Sequence, residues 1–253
     1  MASVGTTKVA EKYRQYRPKY PPELFRIIMN FVRGQGTQCS NSNSKYPLAV
    51  DVGCGPGLMS TVFLAPYFDK VLGVDISESQ IEQATLNNKH RNVEYSISPA
   101  ESLPVEDNSV TLIQVATALH WFDHEKFYRE CDRVLAPGGV IAAFCYSVFI
   151  TVITERLNSD ENMAYKAKTH QFVVGRYSHS EMEIPYPESL RIDDFYFSVK
   201  STIRNFFHFY ETTSLAKNFL KEPEIQGWWE SCKKRLMKAY GTIKHRRSVD
   251  IQI

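Results

Sequence analysis

The sequence predicts an α/β protein built on a doubly wound, mainly parallel sheet, and three observations carry that prediction. Short apolar runs alternate with helical stretches from Leu48 to Cys145, the rhythm of a parallel sheet with helices on both faces. The first run ends in a glycine turn, LAVDVGCGPG over Leu48–Gly57, of the kind that lets backbone approach a ligand closely. The second run ends on an acid, Asp75, where such folds accept hydrogen bonds from a ribose.

The elements follow in order. Val9, Tyr13, Tyr16 and Tyr20 recur at helical spacing. Pro21-Pro22 breaks that run and opens a second helix with the stripe Leu24, Ile27, Ile28, Phe31 and Val32. Gly34–Pro47 is polar, small-residue-rich and aperiodic, and reads as a flexible surface loop. Leu48–Val52 is the first strand, Leu58–Ala65 a helix stopped at Pro66, and Val71–Val74 the second strand. Ser77 and Gln80 have the spacing of a capping box for a helix reaching about Asn87. Val93–Ile97 is the third strand, Asp107-Asn108-Ser109 a turn, and Val110–Val115 the fourth strand. Asp123 is placed to cap a helix with the stripe Phe127, Cys131, Val134 and Leu135. Pro137-Gly138-Gly139 ends it, and Val140–Cys145 is the fifth strand.

Past Tyr146 the rhythm fails. Thr151–Glu188 is weakly periodic, Phe195, Phe197 and Val199 alternate like a strand, and Thr212–Leu220 and Glu224–Tyr240 read as helices. Val249–Ile253 has the period of two that suits a last strand. The chain is read as one domain over 1–253. Residues 1–47 supply helices and a loop, 48–146 the core, and 147–253 insertions over the sheet with closing strands.

The bulk numbers bound the function. Thirty basic and 28 acidic residues nearly cancel, for a net charge of +2, so there is no electrostatic footprint for nucleic acid. Lys244-His245-Arg246-Arg247 reads as a solvated basic turn. Five scattered cysteines form no C-x-x-C and have no histidine at zinc spacing, so a reduced, cytoplasmic protein without a metal site is expected. The longest mainly apolar run, Val140–Ile150, is shorter than the roughly 20 residues of a membrane span.

Glycine spacing then separates two enzyme classes. A dinucleotide-binding turn is G-x-G-x-x-G. Counted from Gly53, its third glycine falls on Leu58, and Pro56 inside the loop lacks a backbone N–H. No Gly-Lys-Ser/Thr follows, which excludes a P-loop. Asp75 alone also suits helix capping, but the glycine pattern with Pro56 tilts the pair toward S-adenosyl-L-methionine (SAM).

The blocks VDVGCGPG, VLGVDIS, PAESLP, HWFD and RVLAPGGVIAAF, in this order, resemble the class I SAM-dependent methyltransferases over roughly residues 10–146. RPKYP and HWFDHEKFYRECDRVLAPGG look like the small-molecule subgroup that includes trans-aconitate methyltransferase. The resemblance implies a seven-stranded Rossmann-like sheet, an N-terminal helical lid, SAM as cofactor and a small-molecule acceptor. By position it puts Asp51, Gly53, Gly55 and Gly57 along the methionine moiety and ribose edge. Asp75 would take the ribose hydroxyls and Ile76 would pack on the adenine. Ala100 and Glu101 would meet the adenine edge, and Ala116 and Thr117 the methionine end. Tyr13, Tyr16 and Arg17 would belong to the lid, Tyr16 toward the substrate and Arg17 paired with a carboxylate.

His120 and Trp121 follow the fourth strand, toward the expected methyl-transfer position. The histidine reads either as a general base or as a structural group holding the loop. The tryptophan reads as a pocket wall or a core residue. The subgroup favours a small carboxylic acid and a methyl ester, with Arg17, Arg176 and His179 as candidate holders. A hydroxyl or nitrogen on a larger apolar metabolite stays open, as does a non-catalytic SAM-binding protein. Oligomeric state is not legible.

Overall fold

Five parallel strands frame the part of the chain that carries the glycine turn. They are β1 (Tyr46–Val52), β2 (Phe68–Asp75), β3 (Val93–Ile97), β4 (Val110–Ala116) and β5 (Leu135–Phe144), hydrogen-bonded in the order β3-β2-β1-β4-β5. The computed structural model describes residues 16–17, 19–35, 45–146, 171–173, 175–213, 220–221, 223–241 and 249–252. These fall into two units. One holds the described residues of 18–145 and 178–186, and the other those of 11–17, 146–177 and 187–253.

The strand order places a topological switch between β1 and β4, where connections leave the central strand in opposite directions. In open α/β sheets ligands bind in the crevice at that point, outside the strand C-termini. Successive residues on a strand face opposite sides. All six residues from Val110 to Val115 of β4 are buried, so both faces of the sheet are covered, as a parallel sheet requires. Helix α1 (Pro22–Gly34) packs against β5, α2 (Glu78–Asn87) against β2 and β3, and α3 (His124–Val134) against β5. Of the expected α1 stripe, Ile28 and Val32 are buried, joined by Phe25 and Met29. Asp123 caps α3 as expected, accepting the Lys126 N–H at 3.3 Å.

Four local expectations are corrected. The helix over Leu58–Ala65 is only a single 3-10 turn, Thr61–Leu64. Ser60 and Thr61 turn their hydroxyls onto Asp51, and Ser60 is held outside helical geometry at φ −135°. The Ser77/Gln80 capping box does not form. The Ser77 N–H that Gln80 would have reached is donated to Asp75 instead, at 2.9 Å. Pro137-Gly138-Gly139 does not precede the fifth strand but lies inside it. The pairing jumps from Val110–Leu135 to Leu112–Val140, and the extra residues bulge out with Gly138 at φ +76°. A side chain at Gly139 would meet the Ala136 and Val110 carbonyls at 2.8 and 2.9 Å. Finally, the seven strands do not share one sheet. β6 (Ser198–Ser201) and β7 (Val249–Gln252) pair antiparallel with each other, satisfying their own ladder separately from the five.

In the second unit, α4 (Ile203–Glu211) and α5 (Pro223–Gly241) close over Phe206, Phe207, Phe209 and Trp229. Thr202 caps α4 by accepting the Asn205 N–H at 3.1 Å, and Thr212 ends it; the helix expected over Thr212–Leu220 lies mostly outside the described residues. Glu211 accepts from Trp229 Nε1 and from Lys233 Nζ, each at 3.1 Å. The expected helix through Val9 and Tyr13 and the basic turn at 244–247 lie outside the described residues. Among the described residues no helix is long and apolar enough to cross a membrane.

The loop between β3 and β4 is clamped to α3. The Arg133 guanidinium donates to both Glu130 oxygens at 2.9 and 2.6 Å, to Asp107 at 2.6 Å, and to the Leu103 and Val105 carbonyls at 3.0 and 3.1 Å. Glu130 also accepts the Leu103 N–H, and Arg133 holds the Glu130 carboxyl below the usual range. Arg133→Met keeps the stem but strands these acceptors. It is expected to cost about 2 kcal/mol, read as a Tm lowered by several degrees in a thermal melt.

Candidate functional site

The glycine turn leaves β1 with three residues in the left-handed region: Gly53 at φ +70°, Gly55 at +55° and Gly57 at +72°. Their reasons differ. A Cβ on Gly53 would sit 2.5 Å from the Ala118 Cβ, and one on Gly57 would sit 2.2 Å from the Tyr95 hydroxyl. A Cβ on Gly55 would meet nothing within 4 Å, so this residue fronts open space at the switch point. The Gly55 N–H is donated to Asp75 Oδ2 at 2.9 Å, and Asp75 Oδ1 takes the Ser77 N–H at 2.9 Å. One carboxylate therefore ties the turn to the end of β2 and the start of α2. Burial pushes its pKa up, and the two N–H groups pull it partly back. A carboxylate has about four lone-pair sites, so each oxygen keeps one acceptor position for a ligand hydroxyl.

Ile76, beside Asp75, is 62% exposed, a large apolar side chain at the same strand ends. Ala100 is buried. Glu101, the expected adenine-edge acid, accepts the Asp123 N–H at 2.9 Å and so joins the cap of α3. Ala116 and Thr117 are partly exposed where β4 ends. The Thr117 N–H is donated to the Phe144 carbonyl at 2.7 Å, while Thr117 itself holds φ +55°. A β-branched residue in that region costs about 1–3 kcal/mol and persists only where its surroundings impose it. His120 is buried on the 3-10 turn Leu119–Trp121, its ring 5.1 Å from that of Trp121, which is 58% exposed.

Asp51 lies under the turn with no exposure. Its Oδ2 accepts from Ser60 Oγ at 2.8 Å and from Thr61 Oγ1. Its Oδ1 is buried with no hydrogen-bond partner among the described residues. Gln114, opposite Asp51 in the β1–β4 register, faces the same carboxylate without completing a hydrogen bond. Cys54, within the motif, is buried and its thiol is pushed well above its usual range by burial and the two nearby acids. It is a packing group and no nucleophile.

Tyr95 was invisible to motif reading. Its ring covers Gly57 and also Gly73 on β2, where a Cβ would be 2.6 Å from Tyr95 Cδ1. The mid-strand Gly73 was the only local hint, since glycine inside a strand marks a close approach. Tyr16 and Arg17 lie in the second unit. There Arg17 donates to the Tyr146 hydroxyl and, at 3.3 Å, to Thr212 Oγ1, with its guanidinium 5.4 Å from the Phe209 ring centre. Tyr13 lies outside the described residues. Among the described residues no group of His, Cys, Asp and Glu could hold a metal ion.

An open left-handed glycine, a strand-ending carboxylate and an exposed isoleucine at the switch point match the arrangement by which doubly wound folds bind adenosine-containing cofactors. Comparison with known proteins narrows the class. Residues 50–143 match the family model described as a methyltransferase domain. The chain is 34% identical over 197 residues to a Dictyostelium discoideum protein described as a methyltransferase, covering 78% of this chain and 65% of that one. It is 38% identical over 96 residues to a Variovorax paradoxus trans-aconitate 2-methyltransferase, covering 37% and 36%. A solved structure described as a type II methyltransferase from Anaeromyxobacter dehalogenans is 26% identical, with a TM-score of 0.69 over 94% of each chain. The chain thus spans less than two thirds of the length of the curated relatives it matches. Over residues 50–143 the sheet unit is thus similar to methyltransferase domains, and SAM is the cofactor that this similarity supports. Open space at Gly55, free acceptor positions on Asp75 and the exposed Ile76 all fit that cofactor's adenosyl group.

Burial lifts the Asp51 carboxyl from 3.8 to about 6, against the smaller opposing pull of Thr61 and Ser60. Between those values the folded chain holds a proton that the unfolded chain has released. Stability from this group is therefore largest below about pH 4, falls as the pH rises through about 6, and is level above. Asp51→Asn should remove that loss. Thermal melts without ligand should place the variant above wild type at pH 7.5, by on the order of 3 kcal/mol, and the gap should close by pH 4.

Proposed function

We propose that this protein transfers a methyl group from SAM to a small-molecule acceptor, with a carboxylate oxygen as the acceptor and a methyl ester as the product. The observation that carries the cofactor reading is the cradle itself. Gly55 fronts open space while its N–H fastens the Asp75 carboxylate beside the exposed Ile76, within the stretch matched to a methyltransferase domain. The partial likeness to a trans-aconitate 2-methyltransferase supports the carboxylate acceptor.

In this reading Asp75 takes the ribose hydroxyls and Ile76 packs on the adenine, with Ala100 and Glu101 at its edge. Asp51, Gly53 and Gly57 shape the methionine side of the cradle, and Ala116 and Thr117 form its far end. The bound sulfonium supplies an already activated methyl group, so the chain's task is to orient the acceptor and exclude water. Orientation of this kind supplies several kcal/mol, up to about 7–11. A carboxylic acid with a pKa near 4 is already an anion at neutral pH, so no residue has to remove a proton. His120, buried against Trp121, then holds the segment after β4, and the exposed Trp121 walls the acceptor site. Tyr13, Tyr16 and Arg17 are read as lid residues, and Arg176 and His179 as holders of the acceptor. The reading takes 1–253 as one methyltransferase domain.

Titration calorimetry with SAM tests the cofactor. Wild type should bind, and Asp75→Ala should bind at least about 100-fold more weakly, having lost charge-assisted hydrogen bonds. A wild type that gives no binding heat and no thermal shift with SAM would sink the proposal. The acceptor is tested by methyl transfer from labelled SAM into a metabolite extract, followed by mass spectrometry. Turnover should appear as a base-labile ester, and His120→Ala should keep most of it. A loss of several orders of magnitude with SAM affinity intact would point to a hydroxyl acceptor and base catalysis instead.

A further inference from the structure

Thr117 is the strained residue of the sheet unit. Two described non-glycine residues of that unit have positive φ. One, Asn108, sits in the Asp107–Ser109 turn and is of a type that tolerates the left-handed region. The other, Thr117, is β-branched and ends β4 at the switch point, and it is held from two sides. Its backbone N–H is donated to the Phe144 carbonyl at 2.7 Å. Its hydroxyl is hydrogen-bonded to that of Tyr20. Tyr20 is 5% exposed and packs edge-on against Phe144, ring centres 4.8 Å apart at 84°. Pro21 and Pro22 follow Tyr20 directly, and Pro21 at φ −72° caps α1, so the ring is presented from a stiff support.

The kink has a consequence at the cofactor turn. Ala118, the next residue, lies where a Gly53 side chain would begin, 2.5 Å from that Cβ position. The path of the chain after Thr117 therefore sets the back wall of the glycine turn. We infer that Tyr20 is a positioning residue for the cofactor cradle. Its hydroxyl, by holding Thr117 in the left-handed region, seats Ala118 against Gly53 and so keeps the turn in its binding conformation. This rests on the methyltransferase reading above. Strain maintained at a strand end by a distant hydroxyl is what a binding site needs and a stable core does not.

The test is SAM affinity by calorimetry on the full chain, at a temperature where circular dichroism shows each variant folded. Tyr20→Phe should bind about tenfold more weakly than wild type, the order expected for one lost hydrogen bond. Thr117→Val, which keeps the β-branch and Tyr20 but removes the hydroxyl, should lose about as much. Thr117→Gly also lacks the hydroxyl but takes the left-handed conformation freely, so it should bind more tightly than Thr117→Val. In the Thr117→Gly background, Tyr20→Phe should have no further effect. A folded Tyr20→Phe that binds like wild type overturns the inference, as does an equal loss in both backgrounds. If Tyr20→Phe does not fold, Thr117→Val decides alone, and unchanged binding there overturns it. Absence of binding by wild type is a different result, which removes the methyltransferase reading itself.

Discussion

The Asp75 carboxylate accepts backbone N–H groups from two places in the chain, Gly55 in the turn after β1 and Ser77 at the start of α2. Neither donor has a place in the sheet ladder, and buried or half-buried N–H groups left unpaired are costly. A single acid satisfies both and thereby sets the distance between the turn and the end of β2. Of the left-handed glycines, Gly55 is the one this carboxylate holds directly. Gly53 and Gly57 leave no room for a side chain, against Ala118 and Tyr95, while Gly55 leaves its space open toward the crevice. The shape of the turn thus depends on where one carboxylate finds its partners, and each of its oxygens keeps a further acceptor position.

Beneath the turn the chain tolerates an arrangement that packing alone would not favour. Asp51 is fully buried between β1 and β4 with one oxygen lacking a hydrogen bond, and Gln114 faces it with its amide also unpartnered among the described residues. Ser60 and Thr61 are drawn to the other oxygen, and the segment that should have been a helix closes as one 3-10 turn. Polar groups left incompletely paired in a low-dielectric interior destabilise a fold, and such departures concentrate at functional sites. The Arg133–Glu130–Asp107 cluster does the opposite. It fully pairs its charges and pins the loop bearing Ala100 and Glu101 to α3.

Much of the sheet was legible because each strand is a local apolar run and parallel strands are buried on both faces. The glycine turn, Asp75 and the Asp123 cap were legible because residue type and position next to a strand end or helix start mark them, whatever distant partners they later take. The failures share the opposite cause. The Ser77/Gln80 box was displaced by Asp75, the 58–65 helix by Asp51, and the end of α3 by a bulge paired to β4. Tyr95 acts on Gly57 across 38 residues and Tyr20 on Thr117 across 97, and no motif spacing records either contact.

By itself the sequence determined the alternation of strands and helices, the glycine turn after the first strand, and the acid that closes the second strand. Those are set by side-chain volume, by glycine's freedom and by hydrophobic period, all of which act locally. Tertiary structure decided which donors each buried oxygen receives, which glycine is packed and which is open, and which strands share a sheet. It also decided that a threonine rather than a glycine carries the kink after β4. These depend on hydrogen-bond partners and steric contacts supplied by distant parts of the chain, which exist only once the sheet has brought them together.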